Sequence, residues 1–261
     1  MNTQTLKFLL VSLLSAQSLV SFTQARIPIK VNDKSIKAGV DVGIALKLSE
    51  SDVIKIADEY IRWMDEHNPI ASDDNPYTIR LNKLVGKHAK EDGLQLNFKV
   101  YEVADINAFA CADGSVRVFA GLMDIMTDEE ILSVIGHEIG HIKNSDTKDA
   151  IKKAYMISAA RDAASSQGGM VGALSGTELG NFAEALLNSQ FSKSQETAAD
   201  MYGFGFLKKN NYQLTSMGAA LRKLQKVEGE AGADKSKLKQ LFSSHPDITR
   251  RAERMEIKAK E

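Results

Sequence analysis

His137-Glu138-Ile139-Gly140-His141 sets two imidazoles and a carboxylate at H-E-x-x-H spacing. The stretch around it reads as one helix. Thr127 and Glu130 make a capping box, and Leu132, Ile135, Ile139 and Ile142 recur at helical spacing. Residues four apart share a helix face, so His137 and His141 can aim at one metal ion. Two neutral ring nitrogens suit tetrahedral Zn²⁺, which in a catalytic site takes three protein ligands and one water. Glu138 follows the first ligand, where its carboxylate can take a proton from that water. The chemistry these residues propose is metal-assisted hydrolysis of an amide.

The helix is apolar on more than one side, through Val134, Ile135, Ile139 and Ile142. Ionisable groups in such a setting need partners. Gly136 and Gly140 each cost about 1 kcal/mol of helix propensity relative to Ala, a cost explained by close approach of another backbone or a ligand. Of the five histidines, His67, His88 and His245 lie outside the motif. The longer H-E-x-x-H-x-x-G-x-x-H pattern fails, because Asn144 and Thr147 stand where Gly and His are required. A glutamate on a second helix is the usual alternative. Glu196 and Asp200 offer it: they are one turn apart, and Ala198 and Ala199 permit close packing. Glu196 would bind the metal, and Asp200 would accept the free ring N–H of a ligand histidine.

The HEIGH run, then Glu196-Thr197-Ala198-Ala199-Asp200, then Ser244-His245-Pro246 with Arg250, together resemble the HtpX and CAAX prenyl protease family of zinc metallopeptidases. Asn107-Ala108-Phe109-Ala110 and Val118-Phe119-Ala120-Gly121-Leu122 also match, so the likeness runs from about Lys99 to Arg250. It is nearest to the exported bacterial members. The resemblance implies one zinc ion per chain, held by His137, His141 and Glu196, with Glu138 as catalytic base. It implies that Asn107, Ala108, Phe109 and Ala110 lie on the strand that pairs with an extended substrate. It also brings His245 and Arg250 to the cleft, as stabilisers of the transition state. The bland alternative is that Ser244-His245-Pro246 starts the last helix and Arg250 forms a surface pair.

Lys7, the apolar run from Phe8 to Val20, and Thr23-Gln24-Ala25 read as a secretory signal peptide over residues 1–25. The run is shorter than the roughly 20 residues that span a bilayer, so no integral membrane segment is expected after cleavage. Several relatives in the resembled family are lipoproteins, but Cys111 is the only cysteine here and no lipid-accepting cysteine follows the leader. The expected compartment is the periplasm. A net charge of −1 without a long basic block argues against nucleic acid. One cysteine makes no internal disulfide, and Cys111 reads as a packed small hydrophobe.

Residues 26–48 read as an irregular leader, and 49–261 as the metallopeptidase domain. Ser49 and Asp52 begin a helix that ends before Pro69, with His67 in its last turn. Asn75-Pro76 begins another, predicted to carry Ile79, Leu84 and His88 and to stop near Asp92-Gly93. Leu94, Leu96, Phe98 and Val100 alternate as in a half-buried strand. Asn107–Ala110 and Val116–Ala120 flank the turn signal Asp113-Gly114. The zinc helix is predicted to run on past Asn144 through Lys148 to Ile157. Ser165–Gly176 reads as a lid or a plain connector. A further amphipathic helix covers Thr215–Glu228, and the chain ends in a charged helix. The fold class is α+β, mainly helical, with a small antiparallel sheet beside the zinc-binding helices.

The function expected is an exported zinc endopeptidase acting on unfolded or misfolded envelope proteins. The second reading is a chaperone or assembly factor that keeps the metal fold and holds peptides with little or latent cleavage. Glu138 discriminates them, since a purely structural metal site has no use for that carboxylate.

Overall fold

Ser49 accepts from the Asp52 amide while Asp52 accepts from the Ser49 amide, and this capping box starts helix α1 (Glu50–His67). The computed structural model describes residues 48–165, 176–230 and 236–261. The leader peptide, almost all of the irregular segment after it and the interior of the Gly/Ser-rich connector fall outside those residues. Asn75 caps α2 (Pro76–Val85), with proline at the first helical position. This helix is shorter than predicted: a 3₁₀ turn at Gly86–His88 ends it, and Asp92-Gly93 instead turns a small hairpin of β1 (Lys90–Glu91) and β2 (Leu94–Gln95). Both turn residues have positive φ, 48° and 85°.

The second sheet holds β3 (Asn97–Tyr101), β4 (Ala108–Ala110) and β5 (Ser115–Phe119), in the order β3-β5-β4. Gly114, at φ 93°, makes the predicted turn between β4 and β5. The sheet is mixed, not purely antiparallel, because β3 pairs in parallel with β5 from Asn97↔Ser115 to Tyr101↔Phe119. The hairpin puts β5 in the middle, so every residue of β5 is buried. Arg117 is buried at its centre; two of its nitrogens donate to Asp65 of α1 at 2.8 and 3.0 Å. Lys99 and Tyr101 donate to the same carboxylate, which fastens the sheet to α1.

After the short α3 (Ala120–Ile125), Thr127 and Glu130 close the predicted capping box of α4 (Asp128–Lys143). The prediction that this helix continues past Asn144 is corrected by the structure. The chain stops at Asn144, turns through Ser145 at φ 64°, and restarts as α5 (Asp146–Ser165). The remaining helices are α6 (Gly176–Leu187), α7 (Lys193–Lys209), α8 (Ser216–Glu230), α9 (Lys239–Ser244) and α10 (Ile248–Lys258). One apolar core joins α4 to the sheet, α7, α8 and α10. A second gathers α1, α5 and α6 with Cys111, which is buried as a small hydrophobe.

Candidate metal centre

Helix α4 is buried almost throughout from Glu130 to Ile142, and it lies against α7 at backbone distance. A Cβ on Gly140 would stand 2.9 Å from the Ala199 carbonyl oxygen, and one on Gly203 would stand 2.9 Å from the His137 nitrogen. The glycines therefore bring two helices together, and with them the two halves of the site. On α7 the inward stripe is Glu196, Ala199, Asp200 and Gly203, so Glu196 and Asp200 face α4 one turn apart.

His137 and His141 turn their Nε2 atoms toward each other at 3.0 Å. Glu196 supplies the third donor, with Oε1 at 3.3 Å from His141 Nε2 and Oε2 at 3.7 Å from His137 Nε2. Asp200 Oδ1 lies 3.0 Å from His137 Nδ1, as expected of the carboxylate that orients a ligand imidazole. His141 has its own partner, Asp146 Oδ2 at 2.9 Å from Nδ1. Nothing in the sequence pointed to Asp146, because a helix running on through 144–148 would carry it away from His141. A carboxylate only accepts, so each ring carries its proton on Nδ1 and presents the Nε2 lone pair to the centre.

His245 joins the group from the turn between α9 and α10, with Nδ1 at 3.0 Å from Glu196 Oε1 and 3.4 Å from His137 Nε2. Donor atoms of His137, His141, Glu196 and His245 all lie within 4.8 Å of one another. The Nε2 atom of His245 faces Glu138 Oε1 at 3.8 Å. Phe191 stacks on the His141 ring, with centroids 3.9 Å apart, and covers it from the α6–α7 loop. His67 and His88 are elsewhere: His67 stacks on Trp63, and His88 is bound between Glu91 and Tyr212.

Arg250 is exposed, which corrects the expectation that it faces the cleft. Asp247, at φ 62°, precedes the first turn of α10, and the helix then buries Ile248, Arg251, Ala252 and Met255. That phase makes Arg251 the inward arginine. It donates to Asp200 at 2.7 and 3.0 Å and pairs with Glu196 through Nη1, while Arg254 reaches Asp200 at 2.7 Å.

Burial by itself would raise the Glu196 carboxyl, but His245, His141 and His137 outweigh it and hold it well below the usual range. Asp200 is likewise held low against its burial by His137 and Arg251. Burial, then Arg251, lowers the pKa of His137 and so favours the neutral, ligating ring. At His141, burial is outweighed by the hydrogen bonds of Asp146 and Glu196 and the charge of Glu138, which push it up to about 9. The carboxylates thus favour positive charge at His141, whereas burial and Arg251 disfavour it at His137. Glu138, Asp146, Glu196 and Asp200 are four carboxylates facing two guanidiniums, so a divalent cation would bring the cluster to neutrality. The donor set fits such an ion: at about 2.0–2.1 Å per Zn–N bond, tetrahedral ligand atoms are about 3.3 Å apart.

Glu138 borders two grooves. One runs beneath β4 and is walled by Tyr60, Phe109, Ile151, Leu186 and Phe191. The other lies between α4, α8, α9 and α10, walled by Val134, Leu221, Leu224 and Leu241. The predicted substrate strand therefore runs along the first groove, with Asn107, Ala108, Phe109 and Ala110 all at its margin.

A buried imidazole pair with a carboxylate on a neighbouring helix, and a further carboxylate beside an apolar cleft, defines the metallopeptidase class of site. Residues 78–258 match peptidase family M48, and the chain belongs to that family. It is 36% identical over 219 residues to metalloprotease LoiP of Escherichia coli, covering 84% of each chain. It is 35% identical over 246 residues to metalloprotease YcaL of the same organism, covering 94% of each. Protease HtpX of Stenotrophomonas maltophilia is 29% identical over 205 residues, 64% of this chain and 68% of its own. The chain is accordingly a metalloprotease, as its resemblance to the HtpX and CAAX prenyl protease group implied.

Proposed function

We propose that the protein is an exported zinc endopeptidase that cuts extended segments of unfolded or misfolded envelope proteins. The observation that carries this reading is the shared cleft of Glu138 and edge strand β4. In the β4–β5 ladder, the Phe119 amide donates to Asn107 and the Cys111 amide to Ser115. Antiparallel alternation then turns the main-chain groups of Ala108 and Ala110 outward, apart from the Ala108 amide, which donates to the Asn107 side chain. A substrate strand added there takes its alignment from main-chain hydrogen bonds, which favours unfolded over rigid folded protein.

His137, His141 and Glu196 would hold the zinc ion, which when bound polarises the scissile carbonyl and acidifies water. Asp200 and Asp146 keep the two rings oriented, and Arg251 anchors Glu196 and Asp200 together. Glu138 takes a proton from the attacking water and passes it to the departing amine. His245, facing Glu138 across the cleft, is placed to hydrogen-bond the carbonyl oxygen as it gains charge. Export is supported by the leader-like composition of residues 1–25, and among the described residues no helix is long and apolar enough to cross a membrane.

The test is cleavage of unfolded casein by the purified protein. Cleavage should stop on chelation and return on adding zinc. Binding of casein without chelator-sensitive cleavage would favour the chaperone reading.

A further inference from the structure

Each imidazole of the metal pair meets a carboxylate at Nδ1, Asp200 for His137 and Asp146 for His141. One hydrogen bond at one ring atom is a pivot, because it tolerates a wide range of tilt about that atom. His137 has a second hold, since Arg251 Nη2 stands 3.4 Å from both of its nitrogens. The second hold on His141 is a ring. Phe191 lies on its face, with centroids 3.9 Å apart and planes 13° from parallel. The other rings beside His141 meet it at an angle, His137 at 88° and His245 at 46°. Among the described residues, Phe191 is thus the ring that lies flat against this imidazole and opposes its tilting.

Phe191 belongs to the loop between α6 and α7, and three contacts fix that loop. The Phe191 amide donates to the Ser244 carbonyl at 3.1 Å, and Lys193 pairs with Asp247 at 2.7 Å. The Ser192 side chain accepts from the Gln195 amide and so starts α7 directly after the ring. Ser244 and Asp247 flank His245, whose own ring is 5.3 Å from that of Phe191. Phe191 is half-buried and forms part of the wall of the groove beneath β4. One side chain therefore touches a ligand histidine, packs beside His245 and borders the peptide groove.

We propose that Phe191 is a positioning residue of the metal centre, whose flat face sets the plane of the His141 imidazole and hence the direction of its Nε2 lone pair. This rests on the reading that His141 ligates zinc. Ring orientation governs how well a histidine binds its ion, so a tilted ring loses affinity even while Asp146 still holds Nδ1. An aliphatic side chain of similar bulk keeps water off His141 but offers no plane to align it. Alignment and simple cover are therefore separable by substitution.

The experiment follows zinc loss from the loaded full chain to excess chelator, and the visible absorption of the cobalt-loaded form. Phe191→Leu should release zinc faster by roughly twofold to tenfold, the effect of losing one aromatic pairing, and should shift the cobalt bands. Phe191→Tyr and Phe191→Trp keep a flat face, and at least one of them should match wild type in both measurements. Wild-type release and spectrum in Phe191→Leu would overturn the assignment and leave zinc binding by His141 standing. Release from both aromatic variants at the Phe191→Leu rate would overturn it equally. If wild type retains no zinc, the ligand reading fails, and this one with it.

Discussion

Asp146 accepts the Nδ1 proton of His141 at 2.9 Å, although the two residues are only five apart and belong to different helices. In a continuous helix, five residues place two side chains on well-separated faces. The break at Asn144 and the left-handed Ser145 fold the first turn of α5 back beneath the metal helix. His137 is thus held from α7 by Asp200, and His141 from α5 by Asp146. Removing that support should weaken the metal without removing a ligand. Asp146→Ala should lower zinc affinity by about 10- to 100-fold, the usual effect of losing such a partner, in competition against a chelator. Unchanged affinity would mean that Asp146 does not orient His141.

Arg250 and Arg251 make a paired test of the helix phase. Arg250→Ala removes an exposed side chain and should leave stability and zinc content as they are. Arg251→Ala leaves Glu196 and Asp200 buried without their main counter-charge, so it should destabilise the metal-free protein by about 3–5 kcal/mol. Chemical denaturation of the two variants reads the difference. A mild effect at Arg251 with a severe one at Arg250 would reverse the assignment.

These two positions show how far the sequence could be read. His137, Glu138, His141, Glu196 and Asp200 were legible because both motifs lie within single helices, where spacing alone fixes the face. The β4–β5 hairpin was legible because Asp113-Gly114 has one local solution. The inward arginine was not, since the phase of α10 depends on where the left-handed Asp247 lets the helix begin. Asp146 was hidden for the same reason: nothing in the apolar periodicity around Ser145 announces a break. The parallel pairing of β3 with β5 is a non-local choice, set by the hairpin occupying the other edge of β5.

Acid stability should report the sheet anchor at Asp65. Burial pushes this carboxyl up, but hydrogen bonds from Arg117, Lys99 and Tyr101 outweigh it and bring it down to about 2. The unfolded value is about 3.9. A depressed folded pKa stabilises above the unfolded pKa and loses that contribution as pH falls through the folded one. Wild type should therefore lose stability between about pH 4 and pH 2. Asp65→Ala should lack this part of the acid dependence and be weaker at neutral pH by about 3–5 kcal/mol, because Arg117 stays buried unpaired. Parallel acid profiles for the two proteins would refute the anchor.

The central claim is that Glu138 moves the proton while its neighbours hold the metal, and the turnover of zinc-loaded Glu138→Gln tests it most directly. Glu138 is the only one of these acids that lies at both grooves, and it orients neither ligand histidine. The variant should fold, retain one zinc per chain, and lose about 100-fold or more in kcat on unfolded casein. Near-normal kcat in a variant shown to carry its zinc would contradict the account.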